Sequence, residues 1–501
     1  MKKVSVRCIM IYTMYRPPSK RKQAIRHALI YTLMTLSVVV LVTAIILFIL
    51  GFRFDSGNGR LEQGALLQFA TEPSGAMIEV DGKAINPRTP AKYTVLAGEH
   101  TFRMSKDGYE VWNKTLDVKA GTLTWLNYAR LIPVNRPVET VASYTSLSGM
   151  TTSPDGKIIL SITDASQPNI QVADIRSSEV KLSTITLPAA LYTDATTKDV
   201  VHTFTLGNWD TGGRYALVNH AYSGKSEWLV VDTRDVSASK NITRVLDIDI
   251  ASPVFSGTNG NVVYALSAGD IRKLDLAAAT ISRSLVSGVT AFSLYDNTII
   301  TYEGKDTTDA TKHVVGVYRE GDSAPHILRS VSTDLPLKIA TSRYYNQDYV
   351  AIAEGSRIDI LRGSYPSSSS DDTTSLGIVS TVDFTPSTAH LSFSPEGDYV
   401  LAQTNASFVS YDVEHARVNR SIVGQDANAA MSPLRWIDDD HLWSDAEGQL
   451  TLREFDGANT TVISPAALGF GAVISENETY MYSIGKTDSG YQLQRVRLTL
   501  P

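Results

Sequence analysis

Residues 153–174, SPDGKIILSITDASQPNIQVAD, form a unit that returns as SPEGDYVLAQTNASFVSYD at residues 394–412. Each copy has a turn, a short apolar strand, a polar gap and a second strand that ends in Asp. Six weaker copies follow the same pattern, at residues 209–232, 259–275, 295–318, 345–361, 437–452 and 475–496. The eight units are spaced about 38 to 57 residues apart, and a period of about 40 to 50 residues is typical of β-propellers. Strands that are apolar on both faces suit the packed sheets of propeller blades.

The repeated turn also carries a family resemblance. Ser-Pro-Asp-Gly before such a strand resembles WD40-like and TolB-type β-propellers, over residues 138–501. The repeats predict seven or eight blades. Thr140 to Tyr144 precede the first complete unit and are predicted to pair with the last one, because a closed ring leaves no exposed sheet edge. The insertion SYPSSSSDDTTS at residues 364–375 is too polar to bury and is predicted to be a mobile loop, with a role in recognition as the alternative.

Residues 65–133 predict a second, smaller β structure. Short strands alternate there with turn sequences. Asp81-Gly82 is a strong hairpin signal, because both central residues of a type I′ turn need positive φ. We therefore expect a compact antiparallel β sandwich.

Five spaced motifs in this stretch resemble the PEGA domain. They are Pro73-Ser74-Gly75-Ala76, Val80-Asp81-Gly82-Lys83, Thr89-Pro90, Ala97-Gly98-Glu99-His100 and Lys106-Asp107-Gly108-Tyr109. The residues that mark the motif are Pro73, Gly75, Ala76, Asp81, Gly82, Pro90, Gly98, His100, Gly108 and Tyr109. The resemblance implies a surface-associated β module of bacteria or archaea, without a catalytic residue, whose Gly, Pro and Asp residues form turns. Ser74 departs from the pattern, since Glu is expected there, and Glu99 with His100 as half of a metal site is the alternative.

The longest apolar run, Ala28 to Phe52, contains 25 residues without a charge. A helix needs about 20 residues to cross a bilayer core. The run is therefore predicted to be a transmembrane helix, with Ala28, Leu41 and Phe52 as membrane-anchor residues. A cleavable signal peptide is one alternative, but its apolar core is usually only about 7 to 15 residues long. A buried core helix is the other, but such a helix rarely runs so long without a polar face.

The charge distribution predicts the orientation of this helix. Residues 1–27 contain eight Lys or Arg and no Asp or Glu, so the net charge of −6 leaves the rest of the chain at −14. Positively charged flanks stay in the cytoplasm. The N-terminal tail is therefore predicted to be inside, and residues 54–501 would be exported, beginning with a linker over residues 53–64. The charges expected to set this topology are Lys20, Arg21, Lys22 and Arg26.

Sequence motifs give no support for catalysis. The chain lacks G-x-S-x-G, G-x-x-x-x-G-K-[ST], G-x-G-x-x-G, H-E-x-x-H and C-x-x-C, and its one cysteine is Cys8 in the basic tail. Asp438-Asp439-Asp440-His441 could supply ligands to Ca²⁺, but a solvated turn is the preferred interpretation. Four histidines lie in or beside strand patterns and are predicted to be packing or surface residues: His202, His220, His313 and His390. No cofactor or metal site is predicted.

Together these patterns predict a mainly β, single-pass cell-envelope protein. It would have one N-terminal transmembrane helix, a small PEGA-like β sandwich and a seven- or eight-bladed β-propeller. The preferred function is non-catalytic: the helix contacts membrane lipid, and the exported domains bind cell-wall glycan, surface polymer or an envelope protein. The acidic exported part argues against nucleic acid as a partner. An envelope glycosidase or lyase with carboxylates in the propeller funnel is the alternative, and a sensor that signals through the basic tail is a third hypothesis.

Overall fold

The computed structural model describes residues 20–49, 51–55, 60–193, 200–332, 335, 337–366, 376–424 and 433–500, without the side chains of residues 22 and 53–62. The protein is mainly β, with 54% of the described residues in strands and 9% in helices. The chain divides into two compact units. The first contains residues 1–105 and 111–130, and the second contains residues 106–110 and 131–501.

Helix α1 spans Lys20–Ile49 in the first unit. Its segment Gln23–Ile49 has a mean hydropathy of 2.7, and no part of its most apolar window is buried. Such a helix is long and apolar enough to cross a membrane, although a signal sequence would have the same properties. The predicted span 28–52 is wrong at its end. The N–H of Gly51 donates to the carbonyl of Phe48 at 3.1 Å and turns the chain out of the helix, so Phe52 begins a strand.

The rest of the first unit consists of two four-stranded sheets. Phe69 and Phe102 contribute one ring from each sheet, with centroids 5.7 Å apart, and both side chains are fully buried. The two sheets therefore enclose a common core, as in a β sandwich. One sheet contains β1 (Phe52–Asp55), β2 (Arg60–Glu72), β5 (Ala91–Leu96) and β8 (Leu123–Arg130), and the other contains β3 (Met77–Val80), β4 (Lys83–Arg88), β6 (Gly98–Ser105) and β7 (Trp112–Val118).

Two sequence predictions for this unit are wrong, and one is confirmed. The sandwich is not wholly antiparallel, because β2 pairs with β8 in parallel. Residues 53–64 are not simply a linker, because β1 and the start of β2 pair with each other inside this range. The predicted turn at Asp81-Gly82 is present, with φ angles of 51° and 74°.

The second unit contains eight four-stranded antiparallel sheets, which are the blades of a propeller. The first strands of neighbouring blades contact one another, so these strands are the innermost ones around a central channel. The unit begins with β9 (Val138–Tyr144). Blades one to four are β10 (Gly149–Thr152), β11 (Ile158–Ile162), β12 (Asn169–Asp174) and β13 (Lys181–Thr186); β14 (His202–Trp209), β15 (Tyr215–Tyr222), β16 (Lys225–Asp232) and β17 (Lys240–Asn241); β18 (Ala251–Phe255), β19 (Val262–Ser267), β20 (Asp270–Asp275) and β21 (Thr280–Ile281); and β22 (Val289–Tyr295), β23 (Ile299–Lys305), β24 (His313–Arg319) and β25 (His326–Val331). Blades five to eight are β26 (Leu337–Tyr344), β27 (Gln347–Glu354), β28 (Arg357–Gly363) and β29 (Gly377–Asp383); β30 (His390–Phe393), β31 (Tyr399–Gln403), β32 (Ser407–Asp412) and β33 (Arg417–Ile422); β34 (Arg435–Trp436), β35 (His441–Ser444), β36 (Gln449–Glu454) and β37 (Thr461–Pro465); and β38 (Ala472–Ile474), β39 (Tyr480–Thr487) and β40 (Gly490–Arg497). A short helix, α2 (Ile242–Leu246), follows β17.

Strand β9 closes the ring. It is the fourth strand of the eighth blade and pairs antiparallel with β40, from Tyr144 opposite Tyr491 to Val138 opposite Val496. The predicted pairing of this segment with the last unit is therefore confirmed, and the propeller has eight blades. The eighth blade therefore contains strands from both ends of the propeller segment, which ties the ring closed.

The serine of the repeated turn has the same structural role in three blades. The hydroxyl oxygen of Ser153 accepts the N–H of Ile158 at 2.9 Å, which fixes the start of the second strand of the blade. Ser394 and Ser475 accept the N–H five residues later in the same way, at 3.1 Å and 3.0 Å. The repeat is thus visible in the sequence because its turn needs a small side chain with a hydroxyl acceptor.

The polar insertion after β28 is held at its beginning. The Tyr365 side chain is 4% exposed, and its hydroxyl donates to the carbonyl of Ser342 at 2.8 Å. The N–H of Tyr365 donates to the carboxylate of Asp348 at 2.6 Å. The prediction that residues 364–375 cannot be buried is therefore wrong for Tyr365 and Pro366, whereas Ser364 is exposed. Residues 367–375 lie outside the described part of the chain.

Candidate functional site

A chain of three ionisable side chains crosses the second blade, and we call it the Glu-His-His chain. Glu227 on β16 accepts a hydrogen bond from Nδ1 of His220 on β15 at 2.9 Å. Nε2 of His220 lies 2.9 Å from Nδ1 of His202, the first residue of β14. Glu227 is 3% exposed and His220 is fully buried, whereas His202 is half-buried. The chain therefore connects a buried carboxylate with a ring at the edge of the blade.

The protons in this chain have one consistent arrangement. Burial acts to raise the pKa of Glu227, but hydrogen bonds from Asn241, His220 and Thr193 outweigh it and lower the pKa, so the carboxylate is ionised. His220 then donates from Nδ1, and while both rings are neutral its Nε2 must accept the proton of His202 Nδ1. Burial lowers the pKa of His220 and keeps its ring neutral, against the opposing effect of Glu227. Nε2 of His202 is thus the basic atom at the half-exposed end.

Aromatic rings hold the two imidazoles in place. Phe204 stacks on His220 with centroids 4.4 Å apart, and Tyr222 stacks on the same ring at 5.1 Å. Tyr192 meets His220 edge-on at 5.1 Å. A fixed imidazole backed by a carboxylate can accept and return a proton, as in hydrolase triads, but it also satisfies a buried polar network without any chemistry.

The histidine predictions are only partly correct. His220 is buried as a packing residue would be, but both of its nitrogens are hydrogen-bonded within the Glu-His-His chain. His313 begins β24 and is half-buried. His390 begins β30 and is also half-buried. Sequence reasoning missed the connection of His202 with His220, because 18 residues separate them.

An open depression of about 640 Å³ adjoins the hairpin of β15 and β16. Val201, Thr203 and Ala221 are among the residues that line it, whereas His202 and His220 are not. Alternate residues of a strand face opposite sides of the sheet, which explains this separation. The depression therefore adjoins the Glu-His-His chain only through Tyr222, which lines it and stacks on His220.

One end of the channel carries both basic and acidic residues. Lys338 there is paired with Glu303, and Glu354 lies opposite Leu337, the first residue of its innermost strand. The eight innermost strands contain no Asp or Glu among the described residues. Successive blades repeat the same strand order, so all innermost strands begin at the same end of the channel. Four of the first or second residues there are His202, Lys338, His390 and Arg435.

The acidic run at residues 438–441 forms a turn. The carboxylate of Asp438 accepts the N–H of Asp440 at 2.9 Å and the N–H of His441 at 2.7 Å. Burial raises the pKa of Asp440 to about 7 and, with the nearby Asp439, that of Asp398 to about 6. Within the described residues, no group of three acidic, His or Cys side chains is arranged to hold a metal ion. The segment is therefore a turn, as predicted, but its aspartates are half-buried rather than solvated.

The marker residues of the small β unit contact one another. The N–H of Ala76 donates to the hydroxyl of Thr89 at 2.9 Å, and the N–H of Gly75 donates to the Thr89 carbonyl at 2.8 Å. The turn that contains Pro73 and Gly75 is therefore tied to the strand end before Pro90. Ala76 is fully buried, so a larger side chain would not fit there.

The second pair of motifs meets at a hairpin. Nδ1 of His100 lies 2.7 Å from the carboxylate of Asp81, and Nε2 lies 2.9 Å from the carbonyl of Leu96. The hydrogen bond from His100 lowers the pKa of Asp81. Both ring nitrogens face acceptor oxygens, so His100 has no nitrogen left for the metal site considered with Glu99. Gly82 and Gly98 occupy the adjoining turns, with φ angles of 74° and 138°.

The last two marker residues belong to the second unit. Gly108 has a φ angle of 85° in a turn, and Tyr109 is 7% exposed. The Tyr109 hydroxyl accepts the N–H of Leu500 at 2.7 Å. These residues are thus structural, as the turn interpretation predicts.

The predicted anchor residues lie in different elements. Ala28 and Leu41 are exposed on α1, where Leu41 is 61% exposed. Phe52 lies in β1, outside the helix. The basic residues Lys20, Arg21, Lys22 and Arg26 lie in the first two turns of α1, although the side chain of Lys22 is outside the described part.

This arrangement of motifs can be compared with known families. Residues 65–131 match the PEGA domain. The small β unit is therefore similar to the PEGA domain, as the five motifs predicted. No curated protein sequence matches the chain.

Solved structures similar to the chain include several propellers. The Dos1 propeller has a TM-score of 0.46 and 11% identity, and the match covers 73% of this chain and 94% of that one. An oligogalacturonate lyase in complex with manganese has a TM-score of 0.40 and 11% identity, with 72% and 99% covered. Apo AztD from Citrobacter koseri has a TM-score of 0.39 and 11% identity, with 79% and 97% covered. At such identities these structures do not indicate what this chain binds or whether it is an enzyme.

Proposed function

We propose that this chain is a single-pass envelope protein whose exported PEGA domain and β-propeller bind a cell-wall glycan, a surface polymer or an envelope protein without catalysing a reaction. The observation that carries the proposal is the combination of an unburied apolar helix, Gln23–Ile49, with a closed eight-bladed propeller. The first can hold the protein in a membrane. The second presents many loops on a rigid ring, which suits binding.

The charge distribution supports the orientation. Basic residues flank the cytoplasmic end of membrane helices far more often than the opposite end. Lys20, Arg21 and Arg26 precede the apolar segment, while the chain beyond residue 27 carries a net charge of −14. The proposal therefore places the N-terminus in the cytoplasm and the PEGA domain and propeller outside.

The composition of the channel favours binding over the alternative, a glycosidase or lyase with funnel carboxylates. Most glycosidases need two carboxyl groups about 5 to 10 Å apart. The innermost strands offer none. The Glu-His-His chain supplies a base but no second acid at its exposed end, so it does not by itself favour an enzyme.

The single cysteine allows a direct test of topology. A maleimide that cannot cross membranes should leave Cys8 unlabelled in intact cells and label it after lysis. A second protein, with Cys8→Ser and Ser178→Cys, should be labelled in intact cells, because Ser178 lies exposed in the propeller. The opposite labelling pattern would refute the orientation, and labelling of both proteins only after lysis would refute export.

Binding is tested separately by co-sedimentation. The full chain in detergent is mixed with the purified cell wall of the producing organism and centrifuged, with a variant lacking residues 65–131 beside it. Pelleting of the full chain supports wall binding, and pelleting of the full chain alone assigns that binding to the PEGA domain. Failure of both proteins to pellet contradicts the wall hypothesis and leaves an envelope protein as the partner to be sought by cross-linking.

A further inference from the structure

We propose that the PEGA domain rests on the membrane through one face of its first sheet, which contacts the lipid headgroup layer. The face belongs to β2, β5 and β8 and contains the exposed residues Leu66, Leu123 and Trp125. We call it the outer face. This inference rests on the proposed anchoring of the chain by α1, and it adds a second contact with the same bilayer.

Three exposed apolar side chains are neighbours on the outer face. Leu66 of β2 lies directly opposite Leu123 of β8, and Trp125 follows two residues further along β8. Their exposed fractions are 39%, 44% and 44%. The alternate residues Leu67 and Leu126 are fully buried, because successive residues of a strand face opposite sides of the sheet. An exposed apolar patch of this kind indicates a contact with a partner or a membrane.

The end of α1 is hydrogen-bonded to the same sheet. The carbonyl of Gly51 accepts the N–H of Gly64 at 3.0 Å, and the carbonyl of Gly64 accepts the N–H of Gly121 at 3.0 Å. Leu66 and Leu123 follow these last two glycines by two residues each, a distance of about 7 Å along a strand. The apolar patch therefore begins next to the point where the chain leaves the helix.

The charged residues of the strands restrict how this sheet lies on the membrane. From Ala28 to Ile49 the helix is about 33 Å long, close to the bilayer core of about 30 Å, so its end lies at the core boundary. From that point β1 runs in one direction, and β8 with the rest of β2 runs in the opposite one. Strands parallel to the helix axis would carry either Arg53 and Asp55 or Glu72 into the hydrocarbon, where ionised side chains are costly. The strands of the anchored chain therefore run along the membrane surface.

The outer face is the free face of this sheet. The opposite face is covered by the second sheet, where the rings of Phe69 and Phe102 pack together in the core. Lipid can therefore reach only the outer face or an edge of the sheet. Trp rings concentrate at the boundary between membrane and water, which suits the exposed ring of Trp125.

The charges around the patch suit lipid headgroups. Lys92 is exposed and lies opposite Gln68, and Lys119 is exposed in the turn before β8. A lysine can lay its stem along apolar surface while its ammonium group reaches a headgroup phosphate. Residues 64–68, 92–96 and 123–127 contain no Asp or Glu, so these strand segments add no negative charge that would repel phosphate.

The test uses single-cysteine forms of the full chain in vesicles of phosphatidylethanolamine and phosphatidylglycerol. With Cys8→Ser, the change Asn127→Cys places a spin label on the outer face, and Thr115→Cys places one on the exposed side of the other sheet. Collisions are measured with oxygen, which dissolves in lipid, and with a water-soluble nickel chelate. We expect nickel to collide about ten-fold less often with the label at residue 127 than with that at residue 115, and oxygen more often, because apolar surroundings exclude polar solutes.

Removal of the patch should release the sheet from the lipid. Leu123→Ser with Trp125→Ser should raise the nickel collision rate at residue 127 to that at residue 115. Met77→Ser removes an apolar side chain that is 36% exposed on the other sheet, and it should have no effect.

Each outcome bears on the inference. Equal nickel collision rates at residues 127 and 115, in protein that floats with the vesicles in a density gradient, would overturn it and leave the anchoring by α1 intact. Low collision rates of both reagents at residue 127 would also overturn it, because a second copy or the propeller would then cover the face instead of lipid. Protein that does not float with the vesicles would contradict the proposed anchoring, and this inference with it.

Discussion

Closure of the propeller depends on a contact that a single methyl group would disturb. Gly490 begins β40 with a φ angle of 144°, and a Cβ atom built there would lie 2.2 Å from the carbonyl oxygen of Tyr144 at the end of β9. That oxygen belongs to backbone that is paired with the next residue, Tyr491. Gly490→Ala must therefore either shift β40 or separate it from the closing strand.

A matched control isolates the contact from the backbone strain. Gly269, in the hairpin of the third blade, has a φ angle of 82°, and a Cβ atom there would meet nothing within 4 Å. Gly269→Ala should cost about 1 to 2 kcal/mol for the positive φ alone. Gly490→Ala should cost about 1 to 3 kcal/mol more for the clash, giving about 2 to 5 kcal/mol in total.

The expected difference is measurable by thermal unfolding. The unfolding entropy is about 2.1 cal/mol/K per residue, so in a ring of about 360 residues each kcal/mol lowers Tm by about 1.3 °C. Differential scanning calorimetry should therefore show a decrease of about 3 to 7 °C for Gly490→Ala and about 1 to 3 °C for Gly269→Ala. Equal decreases would refute the reasoning, because the contact between β40 and β9 would then contribute nothing to closure.

Three further predictions concern buried charge, pH and the membrane. Asp359 is fully buried and accepts hydrogen bonds from two arginines, so Asp359→Asn should lower the free energy of unfolding in urea by about 3 to 5 kcal/mol, whereas exposed Glu179→Gln should not. The lowered pKa of His220 means that its neutral form stabilises the fold fully above pH of about 6.5 and less as the pH falls. His220→Gln should therefore lose less stability than the unmodified chain between pH 7.5 and 5.5, and a parallel decrease would contradict this account. Leu36→Arg with Leu41→Arg should add about 5 to 7 kcal/mol to membrane insertion and move the protein to the soluble fraction, while Leu41→Ala should not.

The sequence predicts the propeller well because its strongest signals are local. The second and third strands of each blade are buried and apolar, and a serine-capped turn precedes the second strand in three blades. The first and fourth strands are harder to recognise. Thr280–Ile281 and Arg435–Trp436 contain two residues each and are largely exposed, so neither has a hydrophobic pattern. Their existence follows only from the architecture, which needs four strands per blade.

The small β unit shows which features local sequence patterns predict and which they do not. The turn at Asp81-Gly82 follows from two adjacent residues, and the structure has it. The parallel pairing of β2 with β8 joins Leu66 to Leu123, and no local pattern distinguishes it from an antiparallel arrangement. The polar start of β2 at Arg60 also resembles a linker until its pairing with β1 is known. Non-local pairing is decided by the packing of the whole unit rather than by the propensity of one segment.

The sequence could have predicted the contact of His220 with Glu227 but not the contact of His202 with His220. The two-residue turn Ser223-Gly224 places Tyr222 opposite Lys225, and counting back along the hairpin places His220 opposite Glu227. A His and a Glu directly opposite each other are close enough to interact. This pair was therefore available from the recognition of one hairpin.

The contact of His202 with His220 could be recognised only from the fold. It reaches His220 through the pairing of β14 with β15, which contains a register shift between Leu206 and Trp209. Without that shift, the two-residue alternation of the strand would place His202 differently relative to its neighbours. The irregular step in an otherwise regular blade thus brings a third polar residue to the buried pair and opens that pair towards the channel end, where the other basic residues lie. A regular blade would have kept His220 and Glu227 as an internal hydrogen-bonded pair without His202.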